Sequence, residues 1–250
     1  MPDASTFPIR LSDAARRPFS DSHMAQRLVQ VAQLPAEGRV LGLGGGCSSL
    51  TLTLALDYRI GAVVGVPDEA ALALESERLR EAGIQDRVEA RAVSPTKLPF
   101  RDGEFHLAVV EAHLWLPPEQ LLTQLRRHLV PSEGRLAFTW PVRVGRGSGT
   151  SSGEAWADRT GTPLMLPREL LALMSRCGYE PEDALTLDAP QLGALYEDWA
   201  SQPEGEGDPL FRDEAARQLA DSRPVSVTWG LLIGRRQEPN ERPYQSHDQG

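Results

Sequence analysis

The chain has 250 residues, enough for one large domain or two small ones, and its hydrophobic fraction of 40% suits a globular core. Its 35 acidic and 26 basic side chains give a formal charge of −9, which argues against non-specific nucleic-acid binding, because that binding needs a positive field. No apolar run approaches the roughly 18 residues of a membrane-spanning helix, no signal peptide opens the chain, and two cysteines build no disulfide framework, so we expect a cytoplasmic protein.

Helices and strands alternate along the first 140 residues. Five apolar strands are predicted, at residues 39–43, 62–66, 87–93, 105–110 and 135–140. Helices are predicted before and between them, beginning at Asp21 or Ser22, at residues 49–56, at residues 69–82 and from Pro117. Strands separated by helices in this way predict βαβ units and a mostly parallel sheet.

The second half of the chain is less regular. Residues 145–161 are rich in Gly, Ser and Thr and predict a flexible loop, either a lid over a substrate or a plain surface insertion. Further helices are predicted at residues 167–176, 191–199 and 211–220, and strands at residues 184–187 and 225–233. We therefore expect an N-terminal extension at 1–21, a domain at 22–235 and a disordered tail at 236–250.

A glycine cluster joins the first strand to the helix that follows it, and its members are Gly42, Gly44, Gly45 and Gly46. Without Cβ atoms the backbone can turn sharply and approach a ligand, while the N-terminus of the helix presents free N–H groups. The same cluster also suits a tight turn that binds nothing, so the glycines alone leave both interpretations open.

Four segments in chain order resemble the class I S-adenosylmethionine (SAM)-dependent methyltransferases. They are VLGLGGGCSS at 40–49, KLPFRDGEF at 97–105, LVPSEGRL at 129–136, and PREL at 167–170 with CGY at 177–179. The resemblance spans residues 22–235. It implies a Rossmann-like α/β fold with a seven-stranded, mostly parallel sheet, helices on both faces and an antiparallel last strand. It also implies a SAM site at the carboxyl ends of the early strands.

The resemblance assigns roles to individual residues. It places Gly42, Gly44, Gly45 and Gly46 against the amino-acid end of the cofactor. It makes Asp68 the candidate partner of the ribose and puts Ser94 near the adenine. After the fourth strand, Glu111 and His113 are the candidates to face the substrate, where either could act as a general base. No metal site is predicted.

Several acidic positions of the family pattern are replaced in this chain. The acid that opens the first motif falls on Gly42, the ribose acid on Pro67, the adenine acid on Ser94 and the Asp of the fourth strand on His106. Each lost charged hydrogen bond could cost about 1.5–3 kcal/mol. Two hypotheses follow: methyl transfer from SAM to a small molecule, or an inactive methyltransferase fold kept as a binding or scaffolding module for a protein partner.

Two further interpretations of the glycine turn are weaker. A nicotinamide-dependent oxidoreductase also uses a glycine-rich turn, but the spacing from Gly42 through Gly44 to Cys47 lacks the third glycine. Cys47 itself could be a hydrolase nucleophile at a helix N-terminus. Against that role, such nucleophiles usually follow several strands, whereas this turn follows the first.

Overall fold

The computed structural model describes residues 19, 22–44, 50–94, 97–111, 116–144, 154, 157–158, 162–201, 209–220 and 227–238. Most of the predicted N-terminal extension (1–21), the glycine-serine loop (145–161) and the tail (236–250) lies outside these residues, as do Gly45, Gly46 and His113.

Helices and strands occur in the order that the sequence predicts. The helices are α1 (Ser22–Ala32), α2 (Leu50–Tyr58), α3 (Glu69–Glu81), α4 (Pro118–His128), α5 (Pro167–Arg176), α6 (Ala189–Ala200) and α7 (Pro209–Ala220). The strands are β1 (Arg39–Leu43), β2 (Gly61–Val66), β3 (Val88–Ala92), β4 (Leu107–Glu111), β5 (Arg135–Arg143), β6 (Tyr179–Thr186) and β7 (Val227–Arg236).

The strands form one sheet of seven, in the order β3-β2-β1-β4-β5-β7-β6. Strands β1 to β5 pair in parallel, while β7 lies antiparallel to both β5 and β6. The predicted seven-stranded, mostly parallel sheet with an antiparallel last strand is confirmed.

The sheet has a hydrophobic core on each face. On one face α1, α2, α3, α6 and α7 pack against the strands, with Leu54, Leu79 and Trp199 among the buried residues. On the other face α4 and α5 do the same through residues such as Leu125 and Met174. Apolar side chains alternate between these two cores along each inner strand, because successive residues of a strand point to opposite faces. The expected helices on both faces are therefore confirmed.

Strand β6 is longer than predicted. The sequence indicated only residues 184–187, whereas the strand runs from Tyr179 to Thr186. It is an edge strand with a register shift between Pro181 and Asp183, and Glu180 and Glu182 lie within it. A proline and several acidic residues interrupt the apolar pattern by which a strand is predicted. An edge strand tolerates both, because the backbone groups on its outer side form no hydrogen bonds with another strand.

None of the helices in the described residues is long and apolar enough to cross a membrane. Within the same residues, no three His, Cys, Asp or Glu side chains lie close enough together to hold a metal ion.

Candidate functional site

The glycine turn begins at the carboxyl end of β1. Gly44 follows the last residue of that strand and has a φ of +89°, in the left-handed region that only glycine enters without strain. β1 lies between β2 and β4 in the sheet. After β1 the chain forms β2 and β3 on one side of this strand, and it then crosses to form β4 and β5 on the other side. Gly44 therefore lies at the point where the strand order reverses, which is where open α/β sheets usually bind their ligands.

Gly42 lies two residues earlier, inside β1, and is in close contact with α2. A Cβ atom at this position would lie 2.4 Å from Thr51 Oγ1, 2.8 Å from Thr51 Cβ and 2.9 Å from Thr51 Cγ2. Thr51 is fully buried, and the described structure gives its hydroxyl no hydrogen-bond partner. The space that a side chain from position 42 would need is thus filled by the helix.

Glu111 ends β4 and is fully buried. Both of its carboxylate oxygens accept from the backbone N–H of Leu50, at 2.9 and 3.0 Å. Leu50 is the first residue of α2, so the negative charge lies at the N-terminus of that helix, where the helix dipole and the N–H of Leu50 stabilise it. The structure therefore places the candidate general base in a helix-capping contact. His113, the other candidate, lies outside the described residues.

Asp68 follows β2 by two residues and caps α3. Its Oδ1 accepts from the backbone N–H of Ala71 at 2.8 Å, and the residue is exposed. Pro67, which occupies the ribose-acid position, has no side-chain group that could bind a hydroxyl. The candidate ribose partner is therefore a helix cap as well.

Ser94 lies just beyond the carboxyl end of β3. It is exposed and forms an isolated bridge with Lys97, whose backbone N–H donates to the carbonyl of Ser94 at 3.1 Å. Because parallel strands end at the same edge of a sheet, Gly44, Asp68, Ser94 and Glu111 all lie along one edge. His106, by contrast, precedes β4 at the opposite edge, where its Nδ1 accepts from Arg39 N–H.

A cleft of about 500 Å³ lies near the amino ends of β1 and β4, lined by Arg39, Arg91, Pro99, Arg101, Asp102, Gly103 and Glu104. Two of its three arginines form ion pairs. Arg39 forms an ion pair with Glu104 at 2.7 Å, and Arg91 pairs with Glu89 on the same strand at 2.6 Å. The cleft is thus close to electrically balanced, and the predicted site residues lie elsewhere.

The sequence did not predict two features at the carboxyl ends of the parallel strands, where the candidate site lies. It did not single out Thr51, although a threonine in an otherwise apolar helix is a usable signal. It also assigned Glu111 to the substrate without foreseeing its bond to Leu50, because the two residues are 61 positions apart and no local pattern joins them.

The fold is similar to several solved structures. It matches the [4+2]-cyclase SpnF with a TM-score of 0.69 at 20% identity, over 86% of this chain and 81% of that one. It matches geranyl diphosphate C-methyltransferase from Streptomyces coelicolor A3(2), bound to Mg²⁺, geranyl diphosphate and S-adenosyl-L-homocysteine, with a TM-score of 0.65 at 17% identity, over 86% and 77%. For phosphoethanolamine N-methyltransferase 2 of Haemonchus contortus the TM-score is 0.65 at 14% identity, over 86% and 53%.

No protein-family model matches the chain, and a comparison with curated proteins gave no match. Identities of this size support a common fold and leave substrate and reaction open. The strand order, the antiparallel β7 and these structural matches agree with the resemblance that the sequence motifs indicated. The chain has the fold of the class I SAM-dependent methyltransferases.

Proposed function

We propose that the protein binds SAM at the carboxyl ends of β1, β2 and β4 and transfers its methyl group to a small molecule. The observation that carries the proposal is that Gly44 and Glu111 directly follow the last paired residues of β1 and β4, Leu43 and Val110, at the point where the strand order reverses. Gly44 gives the backbone a left-handed turn without a side chain, and Glu111 keeps a buried carboxylate at the end of the neighbouring strand.

The charge at this edge supports a cationic ligand. SAM carries an ammonium and a sulfonium, both of which a nearby carboxylate favours, and one carboxylate, so its net charge is positive. A dinucleotide would instead bring its pyrophosphate to the N-terminus of the first helix after β1. In this chain the N–H of Leu50 is bonded to Glu111, whose negative charge opposes a phosphate there. The contact therefore argues against the nicotinamide-dependent alternative.

The residues fit the amino-acid end of SAM better than its ribose end. Gly44 is half-buried and has no side chain, and the pairing of β1 with β4 brings the end of β4, with the buried Glu111, beside it. After β2, in contrast, the side chain of Pro67 offers no polar group, and the Oδ1 of Asp68 is already bonded to Ala71. SAM, when bound, supplies a methyl group activated by its sulfonium, so the work left to the protein is to align the acceptor.

A small-molecule acceptor is supported by the similar structures. Two of these structures are methyltransferases with geranyl diphosphate and phosphomonomethylethanolamine bound. One of them is a [4+2]-cyclase, so the fold also carries reactions other than methyl transfer. The second candidate function, a binding module without methyl transfer, is favoured by the loss of a polar group at Pro67 and by the capping contact of Asp68.

Calorimetric titration with SAM and S-adenosylhomocysteine, after removal of any co-purified ligand, tests the proposal. We expect a dissociation constant in the micromolar range. Gly44→Val should weaken binding by at least about tenfold, because its side chain enters the ligand site and its backbone is strained. Gly83→Val is the matched control, since Gly83 also has a positive φ of +64° but lies two residues after the end of α3, with nothing near its Cβ position.

The outcomes separate the two functions. Micromolar binding that Gly44→Val abolishes and Gly83→Val preserves supports the SAM site, and formation of S-adenosylhomocysteine with a panel of small acceptors then tests catalysis. No binding up to millimolar ligand would refute the proposal and leave the binding module as the better explanation. Circular dichroism of both variants checks that each keeps its fold.

A further inference from the structure

The buried carboxylate of Glu111, at the end of β4, lies close to the position where the first motif of this chain lacks its acid. The family pattern has an acid at the end of its first strand, and in this chain that position is Gly42. The contacts around Gly42 and Glu111 show how the two positions are related in space.

Gly42 and Glu111 face the same helix. In the parallel pairing of β1 with β4, Gly42 lies opposite Val109. Glu111 is two residues beyond Val109 and therefore points to the same face of the sheet. On that face lies α2, which contacts Gly42 through Thr51 and Glu111 through Leu50.

The first turn of α2 leaves no room for an acid on β1. Every atom of the Thr51 side chain lies within 3.0 Å of the place where a Cβ at position 42 would be. Oγ1 of Thr51 is buried without a hydrogen-bond partner in the described structure, so it does not replace the missing carboxylate as a cap. The carboxylate that does reach the helix is that of Glu111.

We propose that Glu111 is a positioning residue that replaces the acid of the first motif from the neighbouring strand. Its carboxylate holds the N-terminus of α2, the helix that follows the glycine cluster in the chain. Removal of the charge loosens this helix end and weakens binding of SAM and S-adenosylhomocysteine. The last consequence rests on the proposed function, whereas the anchoring of α2 does not.

The variant Glu111→Gln removes the charge and keeps the size of the side chain. Hydrogen exchange measures how far the first turn of α2 opens, and calorimetry measures the affinity for S-adenosylhomocysteine. We expect exchange of the first α2 amides to rise, and affinity to fall, by about fivefold to tenfold, the difference between a charged and a neutral hydrogen bond. Glu111→Asp, which draws the charge back by one methylene, gives the same comparison if Glu111→Gln does not fold.

Asp188→Asn is the matched control. Asp188 also places a carboxylate at a helix N-terminus, where its Oδ1 accepts from Gln191 N–H at 2.8 Å, but the helix is α6 and the contact is far from the glycine turn in the chain. This variant should raise exchange in α6 and leave the affinity for S-adenosylhomocysteine unchanged. A general loss of stability would instead lower the affinity of both variants.

A transfer of the carboxylate back to β1 tests the replacement directly. In the Glu111→Gln background, Thr51→Gly clears the space beside position 42, and Gly42→Asp then supplies an acid from the first strand. We expect the triple variant to regain part of the affinity that Glu111→Gln loses, whereas Thr51→Gly with Glu111→Gln alone should not.

Each outcome bears on a defined part of the proposal. Unchanged exchange in α2 of Glu111→Gln overturns the anchoring role. Faster exchange with an unchanged affinity for S-adenosylhomocysteine overturns the proposal that the anchoring of α2 supports ligand binding. If the unmodified protein binds neither SAM nor S-adenosylhomocysteine, the proposed function fails, and the exchange measurement still decides whether Glu111 holds α2.

Discussion

The contact between β1 and α2 can be tested with a single methyl group. In Gly42→Ala the new Cβ would lie 2.4, 2.8 and 2.9 Å from Oγ1, Cβ and Cγ2 of Thr51. Rotation of the Thr51 side chain gives no relief, since its own Cβ is among the short contacts. The helix must therefore move away from the strand, although its first N–H is bonded to Glu111.

The expected cost is that of overpacking a well-filled core, about 1–3 kcal/mol in the free energy of unfolding. Gly61→Ala is the matched control, because Gly61 is also a strand glycine but its nearest contact would be Arg87 O at 3.9 Å. There the added methyl should be neutral or slightly stabilising, by up to about 1 kcal/mol. Urea denaturation followed by tryptophan fluorescence measures both, since the chain has five tryptophans.

A double-mutant cycle with Thr51→Gly identifies the partner. When the side chain of residue 51 is only a hydrogen atom, Gly42→Ala should lower the free energy of unfolding by at least about 1 kcal/mol less than it does in the unmodified chain. If the coupling is within about 0.5 kcal/mol of zero, or if Gly42→Ala costs no more than Gly61→Ala, contact with Thr51 does not explain why position 42 lacks a side chain.

Two further predictions concern the opposite end of the sheet, near the amino ends of β4 and β5. Gly178→Ala should lower the free energy of unfolding by about 2–4 kcal/mol, because at a φ of +84° its Cβ would lie 2.4 Å from Arg126 Nε, which donates to Gly178 O. Gly83→Ala is the control, since Gly83 has a φ of +64° with open space around its Cβ position, and it should cost only about 1 kcal/mol. Equal costs of the two variants in urea denaturation would contradict the role of Arg126. Burial, with help from the neighbouring Arg127 charge, lowers the pKa of His128 below its usual 6.5, against the opposing effects of its bond to Arg101 O and of Asp102 and Glu104. As the pH falls, the unfolded chain takes up the proton at His128 before the folded chain does, so the contribution of His128 to stability is present above pH 6.5 and is lost at lower pH. The free energy of unfolding, measured from pH 7 to 5, should therefore fall more steeply in the unmodified chain than in His128→Gln. Parallel curves for the two proteins would contradict this.

The elements of the inner sheet could be predicted because their patterns are local. β1, β2 and β4 are short apolar runs that are covered on both faces, and each is followed by a turn or a helix start. β6 could be predicted only in part, because an edge strand with a proline and acids has no such pattern. Its pairing with β7 supplies the information that its own residues lack.

The candidate site divides in the same way. The sequence singled out Gly44 and Asp68, and both lie at the expected edge of the sheet. The sequence interpretation does not include the capping of α3 by Asp68, although Ala71 is only three residues away and an Asp before a helix is a common N-cap. Their roles toward SAM stay predictions.

The sequence by itself determined the order of strands and helices, the turn at Gly44 and, through four short motifs, the fold. Each of these depends on neighbours within a few residues. Only the tertiary structure decided that Thr51 excludes a side chain at Gly42 and that Glu111 binds Leu50. These contacts arise because parallel pairing of β1 with β4 brings the ends of distant segments to one edge, under the first turn of α2.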